Sequence, residues 1–165
     1  FHVKEKIIMA EIKKDLKYFM RSKEAEIVTA PGPDTIKDEK GEVIQFEIKV
    51  LTQEEITKIN NAYKKRTMAT DKKGSALIAN GEVVWKTEND AARATRHIIV
   101  EALQYPNLKD KELMEYYGCV DITEMPLKVF PKTDEYQHVM RIVLQALGIT
   151  APVNDEEDLE AAKNS

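Results

Sequence analysis

Cysteine is all but missing from this chain of 165 residues, where Cys119 stands alone. That excludes an intramolecular disulfide framework and makes a reducing compartment the simplest setting. Long apolar runs are missing as well. No window approaches the roughly eighteen uninterrupted apolar residues that a bilayer-crossing helix needs, because charges fall every few positions. The segment Phe1 to Met20 is broken by Glu5, Glu11 and Asp15 and is followed by no small-residue cleavage site, so it does not read as a secretion signal. Excess positive charge is lacking too. With 25 Lys and Arg against 29 Asp and Glu, the formal net charge is -4, which disfavours binding to a phosphate backbone. These exclusions lead us to expect a soluble, cytoplasmic protein.

The residue patterns of catalysis are equally scarce. Cys119 follows Gly118 without a nucleophile motif, and His97 and His138, its conceivable bases, fall on expected helix faces. His2, His97 and His138 are scattered, with no paired cysteines and no His-x-x-x-His spacing, so no metal site is expected. The six glycines are isolated and each has a turn or helix-end explanation, which leaves no phosphate-cradling loop. Glu54-Glu55 fits a helix start and Glu156-Glu157 an acidic tail, not an acid–base pair. The expectation is a binding protein: no enzyme, no cofactor, no metal.

What is present is a series of well-punctuated elements. Ile8, Ile12, Leu16 and Phe19 recur at spacings of four, four and three, the stripe of an amphipathic helix over about residues 3–20. Ala25 to Ala30 is short and β-branched. Val43 to Leu51 alternates polar with apolar, as a half-buried strand does, and the two should pair across the Pro31-Gly32-Pro33-Asp34 break. Thr52-Gln53-Glu54-Glu55 is a capping box, and the helix it opens should bury Ile56, Ile59 and Tyr63 and end on Lys64-Lys65-Arg66, where cations suit the carbonyl end of the dipole. Asn80-Gly81 between apolar runs predicts a tight hairpin pairing Ile78 with Val83 and Ala76 with Trp85. Its other face carries Leu77, Ala79, Glu82 and Val84, so both faces are largely apolar and one is available to another chain.

Downstream the pattern is helical. Thr87 or Asp90 can cap a helix burying Ala91, Thr95, Ile98, Ala102 and Leu103, with Arg93, Arg96 and His97 facing outward. Asp110 can cap a short helix stopped by Gly118, and Asp121 or Thr123 another that ends at Pro131. The strongest helix follows Thr133, with Tyr136, Val139, Met140, Val143, Leu144 and Leu147 on its apolar side and Gly148 as its stop. Tyr105, Tyr116 and Tyr117 suit either an interface patch or a helical core edge. The expected fold class is α+β, mostly helical in the C-terminal half, with a small antiparallel sheet or hairpin in the N-terminal half. We expect one domain over residues 1–149 and a flexible acidic tail over 150–165, centred on Asn154-Asp155-Glu156-Glu157-Asp158.

The second half reads as an ordered series: Ala91-Ala92-Arg93 and Ile98-Ile99 in one helix, then Tyr105-Pro106-Asn107-Leu108-Lys109-Asp110, Glu112-Leu113, Tyr117-Gly118 and Leu147-Gly148-Ile149. Preceded by the extended segment Gly41 to Leu51 and the capped helix at Thr52-Gln53-Glu54-Glu55-Ile56, it resembles the XkdN/YqbN-type tail-assembly chaperones of phage and prophage tail operons. The resemblance spans about Ala25 to Ile149. It implies a protein of the bacterial host cell that binds the phage tape-measure protein, keeps it soluble and assists tail assembly, without being part of the finished virion. A longer frameshifted form is common in the family. Competing readings are a structural tail or head–tail connector protein and a small nucleic-acid-binding regulator. The candidate partner-binding residues are Ile8, Ile12, Leu16 and Phe19 of the N-terminal stripe and Leu77 and Val84 of the hairpin, with self-association as a further use of the same surfaces.

Overall fold

The computed structural model describes residues 14–149. Most of the expected N-terminal helix, with Ile8 and Ile12, and the acidic tail lie outside them. Leu16–Phe19 form one 3-10 turn, started by the Asp15 carboxylate accepting from the Lys17 amide, and the chain then runs without regular structure to Ile27.

Two expected strands form and pair. β1 (Ile27–Pro31) and β2 (Gln45–Lys49) are antiparallel, with Thr29 opposite Glu47 at the centre. The alternation along β2 turns Phe46 and Ile48 into the core and leaves Gln45 and Glu47 outside. Helix α1 (Gln53–Ala62) starts where the capping box places it: the Thr52 hydroxyl accepts from the Glu55 amide at 3.2 Å. It buries Ile56 and half-buries Ile59.

Beyond Tyr63 the structure departs from expectation. Lys64-Lys65-Arg66 is no helix end; it opens strand β3 (Lys64–Met68). Its partner is not adjacent in sequence. After the hairpin of β4 (Ile78–Ala79) and β5 (Glu82–Val83), strand β6 (Trp85–Asn89) runs back alongside β3, with Lys65 opposite Glu88 and Met68 opposite Trp85. Trp85 therefore pairs with Met68 and not with Ala76. Ile78 does pair with Val83, across an Asn80-Gly81 turn with φ of 55° and 79°. Asn at the first position and Gly at the second tolerate those left-handed angles. Local basic charge suited a helix end equally well, and only the cross-strand ladder, which needs residues 85–89, decides against it.

Where β3 ends, three segments meet in a closed ring of backbone hydrogen bonds. The Ala69 amide donates to the Val84 carbonyl, the Val84 amide to Leu77, and the Leu77 amide to Ala69, at 2.8–2.9 Å. Two small lobes extend from this junction. One is the Asn80-Gly81 hairpin. The other is closed by a Thr70–Ala76 bridge, with the Asp71 carboxylate accepting from the Lys73 and Ser75 amides. Residues 64–89 thus form an arm: a two-stranded stalk with two lobes, none of whose residues joins the buried core.

The core lies in the rest of the chain. Thr87 is in β6, so Asp90 alone caps helix α2 (Ala91–Ala102), accepting from the Arg93 amide. α2 buries Ala94, Ile98, Ile99, Val100 and Ala102 and is the hub, packed against α1, β2 and the helices that follow. It leads directly into β7 (Leu103–Tyr105), which adds to β2 as the third strand of the body sheet, in the order β1-β2-β7. α3 (Lys111–Tyr116) is capped by Asp110 and stopped at Gly118, whose φ is 59°. A 3-10 turn at Ile122–Glu124, capped by Asp121, runs into α4 (Met125–Val129). α5 (Thr133–Ala146) buries Val139, Ile142 and Val143 and ends before Gly148. The α+β class holds as expected, with the helical weight in the second half.

Candidate functional site

Four polar side chains with several partners, Arg93, Arg96, His97 and Glu101, sit on α2. Arg93, Arg96 and His97, expected to face outward, turn instead toward neighbouring segments. The Arg93 guanidinium donates to the Asp121 carboxylate at 2.7 Å and to the Thr123 hydroxyl at 3.1 Å. Arg96 donates to the Thr123 carbonyl at 2.9 Å and stands 3.7 Å from Glu124. His97 Nδ1 lies 2.7 Å from the Tyr63 hydroxyl and its Nε2 3.4 Å from Glu101, which in turn holds Lys109 at 3.0 Å. One helix face thus ties α1 on one side to the 121–124 turn on the other. The signal in the sequence was the i, i+3, i+4 spacing of three polar residues, but which segment they would meet depended on the chain returning 28 residues later.

The electrostatics of this cluster are those of a latch. The hydroxyl and amide of Thr123 both donate to the Asp121 carboxylate, and with Arg93 beside it the carboxyl is held below the usual aspartate range. Burial pushes the Tyr63 hydroxyl up. Burial likewise raises Tyr136. A carboxyl whose folded pKa is depressed stabilises the fold above its unfolded value and loses that contribution as pH falls through the folded one. Thr123→Val removes the largest cause of the depression and leaves the Arg93 Nε–H without its acceptor. We expect a loss of about 1–2 kcal/mol at neutral pH, with the acid limb of the stability profile moved to higher pH, measurable as urea midpoints across a pH series. An acid limb unmoved by the substitution rules out the Thr123–Asp121 pairing as its source.

The candidate nucleophile and bases go to separate partners. The Cys119 thiol donates to the Asp121 carbonyl at 3.1 Å, His97 is engaged with Tyr63 and Glu101, and His138 Nε2 is 2.9 Å from the Pro31 carbonyl on β1. Among the described residues no three His, Cys, Asp or Glu side chains gather as a metal site. No described helix is long and apolar enough to cross a membrane. Tyr117 packs on the core edge, while Tyr116 stands out from it in an edge-to-face pair with Tyr117. A shallow groove of about 700 Å³ runs between β1 and α5, lined by Val28, Ala30, Ile142 and Ala146 with His138 and Arg141 at its rim.

Among the described residues, exposed large apolar side chains cluster on the arm and the N-terminal turn, while Ile27, Tyr105, Tyr116, Val120, Leu127 and Ile149 are exposed on the body. Leu77 is exposed at the three-way junction and Val84, bonded to it through the backbone, is half-buried. Around them Met68, Val83, Ile78 (68% exposed) and Trp85 (48% exposed) also face solvent. Trp85, the chain's single tryptophan, is covered on one side by the Arg66 guanidinium 4.7 Å from its ring. The residues 64–89 carry six cations against three carboxylates, a net +3 on a chain of net -4. Leu16 and Phe19 are 69% and 74% exposed on their turn, with Tyr18 and Met20 beside them. The hairpin candidates therefore come together and the N-terminal pair stands on a separate segment. Ile78, Val83 and Trp85 fall on the opposite hairpin face from Leu77 and Val84 when Trp85 is paired with Ala76, and Met68 joins them only through its pairing with Trp85 across β3 and β6.

Known proteins are similar to this chain in sequence and in fold. Residues 16–163 match the model of the phage XkdN-like tail assembly chaperone proteins. The Bacillus subtilis (strain 168) protein YqbN is 33% identical over 153 residues, which is 91% of this chain and 93% of YqbN. The XkdN protein of the phage-like element PBSX, from the same organism, is 31% identical over 91% of this chain and 94% of its own length. A crystal structure of YqbN superposes with a TM-score of 0.61 at 25% identity, covering 82% of this chain and 98% of that one. Family model and relatives agree over nearly the whole length, and the chain belongs to the XkdN-like phage tail assembly chaperone family.

Proposed function

We propose that this chaperone binds the tape-measure protein of a phage tail in the host cytoplasm and keeps it soluble while the tail assembles. The carrying observation is the arm: Leu77, Ile78, Val83, Val84 and Trp85 lie on a support with no core beneath it. An apolar patch that folding leaves uncovered suits a client whose own apolar surface must be shielded from water. Leu16 and Phe19 offer a second exposed apolar surface on a separate segment, and Ile8 and Ile12 continue their stripe in sequence. Binding and release need no turnover chemistry, in keeping with the separate partners of Cys119, His97 and His138. We read residues 1–149 as one working domain and 150–165 as its acidic tail.

Co-expression with a tape-measure fragment that is insoluble alone tests the reading. The native chain should keep the fragment in solution and elute with it as one complex. Ile78→Asp combined with Trp85→Ala alters exposed side chains, so it should leave thermal stability within about 0.5 kcal/mol and lower the soluble yield roughly tenfold. Undiminished yield moves the contact off the arm. No complex with the native chain, together with stoichiometric amounts of the chain in purified tails by mass spectrometry, replaces the chaperone reading with that of a structural tail component.

A further inference from the structure

The arm has a second property that client binding does not use. Its stalk is a sheet of two strands, so among the described residues both of its edges are unpaired. Two-stranded ribbons are marginal alone and gain stability when more strands join, and an open edge is a template for another chain.

The hydrogen-bond phase of the stalk shows which groups are free. The Asp90 amide donates to the Tyr63 carbonyl and the Ala69 amide to Val84, so at both ends of β6 the even-numbered residues face β3. Alternation then directs the backbone N–H and C=O of Trp85, Thr87 and Asn89 to the open edge. An antiparallel copy of β6 centred on Thr87 matches these three residues: Thr87 meets Thr87, and Trp85 meets Asn89 in both directions. In the same register Lys86 of each copy falls opposite Glu88 of the other, in the closer, non-hydrogen-bonded positions. Lys86 and Glu88 already share one face, 3.2 Å apart within the strand, so the pairing makes an alternating cluster of four charges.

The other edge does not offer this. β3 paired with itself about Arg66 sets arginine against arginine between flanking lysines, a like-charge opposition that destabilises. Pairing β3 with β6 of another copy leaves one edge of each open and propagates without closing. We therefore infer that two copies of this chain join through β6 about a two-fold axis at Thr87, forming a four-stranded sheet β3-β6-β6-β3. Trp85 belongs to both surfaces, its backbone N–H and C=O serving this edge and its ring facing solvent beside Arg66; Leu77, Ile78, Val83 and Val84 lie outside β6, so the inference stands apart from the client reading.

Light scattering on the full-length chain after size exclusion, over a range of concentrations, gives the test. The native chain should reach twice the monomer mass. Thr87→Pro removes an outward N–H but no bond within the stalk, and should give a monomer with unchanged far-ultraviolet circular dichroism. Lys86→Glu and Glu88→Lys singly oppose like charges at both symmetry-related positions and should each raise the dimer dissociation constant roughly tenfold. The double exchange restores opposite charges and should restore the dimer. A monomer at all concentrations, a mass that climbs past two copies, or a dimer indifferent to these three variants overturns the proposal. Should Thr87→Pro unfold the arm, the charge exchange decides on its own.

Discussion

Val143→Asp should cost about 3 kcal/mol or more, enough to leave a chain of ordinary marginal stability mostly unfolded. Val143 is 0% exposed on the inner side of α5, in the same cluster as Val139, Phe130 and Met125. A carboxylate there loses its water and gains no paired cation. The site responds in one of two ways: the acid protonates, or the C-terminal helix detaches. Both lower the midpoint of urea unfolding steeply. Ala146→Asp, on the half-buried flank of the same helix, is the control and should cost far less. Equal effects of the two substitutions would show that helix propensity, and not burial, governs this face.

Gly32→Ala should rank close behind. Gly32 has no left-handed φ, and its amide is fixed by the Ile44 carbonyl at 2.9 Å. What demands glycine is the ring of Phe46: a Cβ at residue 32 would stand 2.5 Å from Cε1 and 2.9 Å from Cδ1. Phe46 is 1% exposed and packs against Phe130 with ring centroids 5.9 Å apart, so it has little room to withdraw. Overpacking of this kind costs about 1–3 kcal/mol, and the closeness of the approach places the expected loss near the upper end. The cause is separable from other effects of alanine. Phe46→Leu, destabilising alone, shortens the side chain that blocks the new methyl, so the double variant should lose less than the two single losses combined. Strict additivity would mean that residue 32 acts through something other than the Phe46 ring.

The contrast between the two halves of the molecule explains what could be read in advance. Asp110, Asp121, Gly118 and Gly148 delimit helices α3 to α5 because caps and stops act within four residues of themselves. The same locality placed the Thr52 cap and the Asn80-Gly81 turn. Where the deciding partner lay far along the chain, local signals misled. Lys64-Lys65-Arg66 suits the end of a helix by its charge, yet it is paired with residues 87–89. Arg93, Arg96 and His97 are polar and were given to solvent, yet Asp121, Thr123 and Tyr63 satisfy them. Of the proposed contact residues, Leu77 was legible as an exposed apolar chain, because an Asn-Gly hairpin with two apolar faces has one too many. Trp85 was not, because its placement follows from β3.

The ring of backbone bonds among Ala69, Leu77 and Val84 has a consequence for what the arm can tolerate. Because the ring closes the stalk before either lobe begins, the register of β3 with β6 is settled independently of what lies between residues 70 and 76 or between 78 and 83. Each lobe is an insertion cassette. Loops of other lengths and sequences should be accepted at Asp71–Ser75 or Asn80-Gly81 without shifting the register of the stalk or disturbing α2.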